Sequence, residues 1–279
     1  MTAVVHPLTK RQLETFHKVP SHALILIGPT GSGKLTLARQ LVEKILKLPT
    51  DSFADYAYGL TIAPVEGKAI GIESIRQLEH FLSLKVPSSQ AINREVLIKN
   101  SHLLTIEAQN ALLKTLEEPP EGTIIVLTTA QEKALLPTIR SRAVAINVRR
   151  PERGALLQHF DTQGFDRIYA LSGGLPGLMT SLVTDQEHPL KAATERARQL
   201  LNQSSYERLS SVDELSRQRT QTLDTLFILQ NMAQLSLRKA TGPTALRWQR
   251  VLQAAYSTQD ALLRNVQPKL ALTQLMLQL

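Results

Sequence analysis

The chain has 279 residues, 43% of them hydrophobic, 20% charged and 4% aromatic, with 32 Lys plus Arg against 24 Asp plus Glu. It has no cysteine, which excludes disulfides, thiol nucleophiles, cysteine-ligated zinc and iron–sulfur clusters and fits a reducing, cytoplasmic setting. At this length two or three domains are expected, because domains cluster at roughly 100–150 residues. The first residues, MTAVVHPLTKRQLETF, hold no apolar run of the kind an export signal needs, and no stretch of about 18 uncharged apolar residues predicts a membrane span.

Residues 23–27 (ALILI) form a short continuous apolar run ended by Gly28, the pattern of a buried strand in a parallel sheet. A glycine-rich turn follows, and from residue 34 to 48 Leu37, Ala38, Leu41, Val42, Ile45 and Leu48 recur at spacings of three and four, predicting an amphipathic helix. Residues 52–62 read as a loop entering a second strand, and 72–84 return to helical spacing with Ile75, Leu78 and Leu82 on one face. Val96 to Ile98 end a third apolar strand. In residues 105–118, Thr105 is the expected N-cap and Pro119 and Pro120 stop the helix. Strands over 123–127 and 143–148, with a helical turn over 135–140 between them, complete an alternation that predicts a three-layer α/β domain with a mostly parallel sheet.

After Pro151 the strand patterns stop and only helical periodicity remains, so a boundary is expected there. The division is an α/β domain over 1–150, a small helical lid over 151–188 punctuated by a turn at Gly173, Gly174, Pro176 and Gly177, and an all-helical collar over 189–279, with Leu223, Leu226, Phe227 and Gln230 typical of its spacing. The net charge is +8, and from Lys191 onward 12 Lys plus Arg face 6 Asp plus Glu, which leaves +2 for everything before. A basic excess of this kind suits either a solvated helical surface or a polyanionic partner.

The run Gly28, Pro29, Thr30, Gly31, Ser32, Gly33, Lys34, Leu35, Thr36 stands between a strand and a helix, where a phosphate-binding loop has to stand. Glycines let backbone N–H groups converge on phosphate oxygens, the helix N-terminus adds partial positive charge, and the lysine neutralises the β and γ phosphates. Gly28, Thr30, Gly31, Ser32, Gly33, Lys34 and Thr36 are therefore candidate nucleotide-phosphate residues, with ATP or ADP as the ligand. The position after the lysine should carry a hydroxyl for Mg²⁺ and carries Leu35. Thr36 is a poor substitute, since one further helical residue points about 100° away. The carboxylate expected at the end of the strand over Val96 to Ile98 is also missing, and Lys99, Asn100, Ser101 and His102 stand there. With both metal-holding positions lost, no metal site is expected, and the loop reads as a nucleotide-site fold without hydrolytic chemistry, in which no cofactor is required.

The stretches NALLKTLEEPP at 110–120 and LLPTIRSR at 135–142 resemble the AAA+ clamp loader subunits of bacterial replicases. SHALILIGPTGSGK at 21–34, GKAIGIESIRQLEHFLSLKV at 67–86, LSGGLPG at 171–177 and NVQPKLALTQLMLQL at 265–279 resemble the delta-prime branch of the DNA polymerase III clamp loader family, so the likeness spans nearly the whole chain. The resemblance implies a P-loop AAA+ domain, a lid and a collar. It also implies a subunit that does not turn over ATP but offers an arginine finger to ATP held by a neighbour. The family motif Ser-Arg-Cys falls on Ser141, Arg142 and Ala143, with the cysteine replaced and the arginine kept. The implied partners are the clamp loader ATPase subunits and the delta subunit, met through the collar and the Arg142 face, with the sliding clamp and primed DNA within the complex and no membrane.

Other family features are absent or changed. The four-cysteine zinc module is missing, Leu178 and Met179 stand where hydrolysing relatives place a basic sensor, and Thr128 and Thr129 stand where a polar sensor is expected. His102 falls on a family histidine. Three readings of function remain open at this point: a non-hydrolysing interaction subunit with Arg142 acting in trans, an active P-loop NTPase motivated by the intact Gly31, Gly33 and Lys34, and a DNA-binding module using the basic C-terminal half.

Overall fold

The computed structural model describes residues 3–50, 52–65, 69–86, 91–184, 189–238, 240–263 and 266–279. Gly67, Lys68 and Asn265 of the family-like stretches, and the expected boundary at 188, lie outside these residues. The chain parts into two compact units, residues 1–151 and 152–279.

The first unit runs α1 (Pro7–Lys18), β1 (Ala23–Ile27), α2 (Lys34–Leu46), β2 (Gly59–Ile62), α3 (Ile72–Ser83), β3 (Arg94–Ile98), α4 (Ile106–Glu117), β4 (Thr123–Thr129), α5 (Pro137–Arg140) and β5 (Val144–Asn147). Its five strands pair in parallel in the order β2-β3-β4-β1-β5. Period-two alternation splits each central strand between two apolar layers. Leu24 and Leu26, with Leu97, Ile124 and Val126, pack on Leu37, Ala38 and Leu41 of α2. Ala23, Ile25 and Ile27, with Val96, Ile98, Ile125 and Leu127, pack on Ile75 and Leu78 of α3 and on Ala108, Leu112 and Leu116 of α4. A sheet covered on both faces is the setting in which strands such as ALILI and TIIVLTT are apolar throughout, and every residue of β1, β3 and β4 is buried.

Two features of this unit differ from the sequence expectation. Helix α1 had no counterpart in it. Pro7 opens that helix, and His6 caps it by accepting the Leu8 N–H on Nδ1 at 3.2 Å. Thr9 ties it to β5 by donating to the Asn147 carbonyl at 2.9 Å and accepting the Arg149 N–H at 3.1 Å. Strand β4 also runs two residues further than expected, through Thr128 and Thr129. The expected cap and stop of α4 are present: the Thr105 hydroxyl accepts the Ala108 N–H at 3.2 Å, and the helix ends at Glu117, ahead of the two prolines.

The second unit is helical among the described residues: α6 (Arg153–Phe160), α7 (Phe165–Ser172), α8 (Pro176–Thr184), α9 (Pro189–Asn202), α10 (Ser205–Ser210), α11 (Val212–Arg217), α12 (Arg219–Leu237), α13 (Gly242–Leu263) and α14 (Pro268–Gln278). Gly173 has φ +63°, and a Cβ there would lie 2.8 Å from Asn231 Cγ, so the α7–α8 turn needs glycine on both counts. One core joins Leu175 and Leu178 to Leu190 and Ala197 of α9, Leu226 and Leu229 of α12, Val251 and Ala255 of α13, and Leu272 and Met276 of α14. No helix of the described residues is long and apolar enough to cross a membrane.

Candidate functional site

Gly28 leaves β1 and donates its N–H to the Thr129 carbonyl of β4 at 3.1 Å. The loop then turns through Gly31 (φ +82°) and Gly33 (φ +85°) into α2, for which Gly33 is the N-cap. These left-handed conformations are open to glycine and strained for other residues, which is why the loop carries glycine at both. Lys34 is 7% exposed and folds back over the loop, donating from Nζ to the Gly28 carbonyl at 2.6 Å and the Pro29 carbonyl at 2.8 Å. Burial among neutral dipoles pushes its ammonium down to about 8. Ser32 is 4% exposed, and its Oγ has no hydrogen-bond partner among the described residues. That hydroxyl faces Gly28 across the loop, 3.1 Å from where a Cβ would stand. Thr30 is half-buried and Thr36 is exposed on the outer face of α2.

The positions that hold magnesium in a hydrolysing loop are filled otherwise. Leu35 packs against the apolar layer under α2. Lys99 follows β3 directly, two strands and about 10 Å from Gly28 across the sheet. Burial and the nearby guanidinium of Arg39 both lower its pKa. Arg39, from α2, lies over the Phe53 ring at 5.7 Å. The carboxyl on this face, Glu95, is buried and pushed up to about 8, against the pull of Arg39, so it carries little negative charge near neutral pH. Among the described residues no three His, Asp or Glu side chains converge as a metal site would require. Neither Leu35 nor Lys99 offers magnesium an oxygen ligand.

The other residues singled out from the sequence are engaged by the protein itself. Thr128 Oγ1 accepts the Asn100 N–H at 3.2 Å, and Thr129 Oγ1 both donates to the Gln131 carbonyl and accepts its N–H, each at 3.1 Å. His102 Nδ1 accepts the Ala130 N–H at 3.4 Å, and burial followed by the charge of Lys34 lowers its pKa. Leu178 and Met179 are fully buried.

Ser141 and Arg142 stand elsewhere. They follow α5 and precede β5, and Val144 pairs with Leu24, so Arg142 lies at the end of the sheet where β1 begins. The loop is at the other end, and the four residues from Leu24 to Gly28 alone span about 13 Å. Arg142 donates from Nη1 to the Thr138 carbonyl at 3.0 Å and pairs through Nη2 with Glu117 at 2.6 Å, while Ser141 Oγ donates to the Thr138 carbonyl at 3.0 Å. Sequence reasoning missed Glu117, at the end of α4, and Gln109, which is 1% exposed. Gln109 Nε2 donates to the carbonyls of Leu104 (3.2 Å) and Ala134 (3.0 Å), and its Oε1 accepts the Leu136 N–H at 2.8 Å, fixing the approach to α5. A lone glutamine between apolar helix positions was the available signal.

A sequence model of the family described as "DNA polymerase III, delta subunit" matches residues 6–152. DNA polymerase III subunit delta' of Pseudomonas aeruginosa is 31% identical over 182 residues, covering 56% of this chain and 54% of that protein. The subunit of the same name from Escherichia coli K12 is 36% identical over 129 residues, covering 44% and 38%. The chain thus spans about half the length, or less, of these curated relatives. Among solved structures, a DNA polymerase III gamma subunit-related protein from Thermotoga maritima shares the fold with a TM-score of 0.54 at 23% identity, covering 95% of this chain and 97% of that one. More than half of the residues, the glycine loop and Arg142 among them, fall inside the family match, and the chain belongs to the DNA polymerase III delta-prime subunit family.

Proposed function

We propose that this chain is a non-hydrolysing delta-prime-type subunit of a clamp loader, supporting the placement of a sliding clamp on primed DNA and presenting Arg142 in trans to nucleotide held by an adjacent ATPase subunit. The observation that carries the reading is the separation within one sheet: Arg142 stands at the end opposite the chain's own loop, so a phosphate that it touches belongs to another subunit. An arginine there stabilises charge on the transferred phosphoryl group. Ser141, bonded to the same carbonyl as Arg142, acts as its support. On this reading residues 151–188 serve as the lid and 189–279 as the collar that meets the ATPase and delta subunits. Leucines exposed on α14, Leu270 and Leu277, suit such packing.

The test is DNA- and clamp-stimulated ATP hydrolysis by the assembly reconstituted with its ATPase and delta subunits. The full chain alone is expected to be silent at saturating Mg·ATP, and Arg142→Ala to lower turnover at the facing site by about 10³ or more. Unchanged turnover in an intact assembly would make the subunit a scaffold. Hydrolysis by the chain alone, abolished by Lys34→Ala, would replace the reading with that of an autonomous NTPase.

A further inference from the structure

We infer that the groove between α13 and α14 binds an extended peptide segment of a partner protein, with an acidic side chain of that segment held by Arg250. The groove belongs to the helical unit, and the inference does not depend on what Arg142 or the glycine loop does. Leu270 and Leu277, the collar contacts proposed above, are not among its lining residues.

Side-chain size along the two helices makes the groove. Residues between 250 and 261 of α13 and between 271 and 278 of α14 line a cavity of about 490 Å³, and those of α13 recur at steps of three and four, along one helical face. The floor is Ala254, Thr258, Ala271 and Leu275, none more than 4% exposed. Three of these four are short, so the packed helices leave a trough between them. At 1.5 Å per residue, the stretch from Arg250 to Ala261 is about 16 Å long, which gives the cavity a cross-section of about 30 Å². A helix with its side chains, about 10–12 Å across, is too wide to enter. Five residues of extended chain span the same length, at about 3.3–3.6 Å each.

The polar groups of the lining are left for a ligand. Thr258 is 4% exposed, and its hydroxyl makes no hydrogen bond among the described residues. Other threonines of these helices, Thr194, Thr225 and Thr273, each donate to the carbonyl four residues back at 2.8 Å. A hydroxyl so deeply placed gains from a partner, and a peptide carbonyl supplies one. On the rim Gln253, Ser257, Gln274 and Gln278 are exposed and bond to no other described group. On the α12 side of α13, by contrast, Gln259 and Tyr256 are bonded to Gln230 and Gln234, each at 2.7 Å. Each rim amide offers a donor and an acceptor, which is what the unpaired N–H and C=O groups of an extended chain require.

Charge selects among peptides. Arg250 is the one charged side chain of the lining, is exposed, and pairs with no carboxylate among the described residues. A free guanidinium at one end of a neutral groove favours a carboxylate and opposes a basic segment. A nucleic-acid strand would need a run of cations and aromatic platforms, and this groove has one cation and no aromatic ring.

The test screens the full-length chain against immobilised pentapeptides with Glu fixed at either end and the other four positions varied, beside the same set with Lys in place of Glu. The strongest binder is then titrated by fluorescence polarisation. Binding by the Glu set is expected, with a Kd of about 10–100 μM and matched Lys peptides at least about tenfold weaker. Arg250→Glu should weaken the selected peptide about tenfold or more, and Thr258→Val about threefold. Ser257→Phe, which fills the trough from an exposed position and so spares the fold, should abolish binding. Arg247→Gln, which removes a charge from the same helix outside the lining, should leave affinity within about twofold. No binding by either set, binding that survives Ser257→Phe, or equal binding of the Glu and Lys sets overturns the inference. Dimerisation of the chain in sedimentation velocity that Ser257→Phe removes would also overturn it, by giving the groove to a second copy. Each of these results leaves the Arg142 reading intact.

Discussion

Arg142 is held in place by Glu117, and the terms of that contact set what it can do for a neighbour. The pair is 2.6 Å long, with the two side chains 34% and 49% exposed. Exposed pairs contribute about 0–1 kcal/mol, because water screens the attraction and two long side chains must be ordered. On the proposed role of Arg142, the contact would store the guanidinium without trapping it, and a neighbour's phosphate, carrying more charge than a carboxylate, would displace Glu117. Glu117→Gln is accordingly expected to change folding stability by less than about 0.5 kcal/mol in urea denaturation. The same change should raise turnover of the reconstituted assembly by no more than about fivefold, since only the cost of breaking an exposed pair is removed. A large fall in turnover would instead make Glu117 a group that positions the arginine.

At the scale of elements, α4 does two jobs: its apolar face covers the sheet and its one buried amide sets where α5 begins. Gln109 makes three hydrogen bonds to backbone groups on both sides of α5's approach. Truncating it leaves two carbonyls and the Leu136 N–H without their partner inside the protein. Gln109→Ala is expected to cost about 2–4 kcal/mol in denaturant unfolding and to lower assembly-stimulated turnover through displacement of Arg142. Much of this architecture was legible beforehand, because a strand buried on both faces, such as ALILI, followed by glycines and a helical period has few other readings. Edge strand β2 (GLTI) was visible only as a loop entering a strand, being half-exposed and lacking a strong apolar run. Helix α1 escaped because it buries only Thr9 and Phe16, and its cap is a histidine in place of the usual serine, threonine, aspartate or asparagine. The loop with Lys34 and Lys99 was legible from spacing, but Arg39 near Lys99 and the Glu117–Arg142 pair at the other end of the sheet were not. Arg39 sits on the polar side of a helix pattern, and Glu117 is 25 residues from the arginine that it pairs with, so neither relation leaves a local signal.

The molecule as a whole rests on two kinds of core, one built on a sheet and one on helices, and a partly buried acid beside the helical one poses a charge problem of its own. Asp224, on α12 between Leu223 and Thr225, is pushed by burial up to about 6 from the ordinary aspartate value near 4. An acid whose pKa is raised on folding is protonated in the native state over a range where the unfolded chain has already released its proton. Its contribution is therefore fully favourable below about pH 4, declines as pH rises through 6, and above that leaves a buried carboxylate that weakens the fold. Replacing it with Asn keeps shape and hydrogen-bonding capacity and removes the ionisation. Asp224→Asn should then be neutral at pH 4 and stabilising by about 2 kcal/mol at pH 8, where a shift of two pKa units has its full effect. Thermal unfolding of the full chain across pH 4–8 reads this directly. A gain in melting temperature that is the same at both ends of the range would mean that the side chain, and not its charge, is what the core resists.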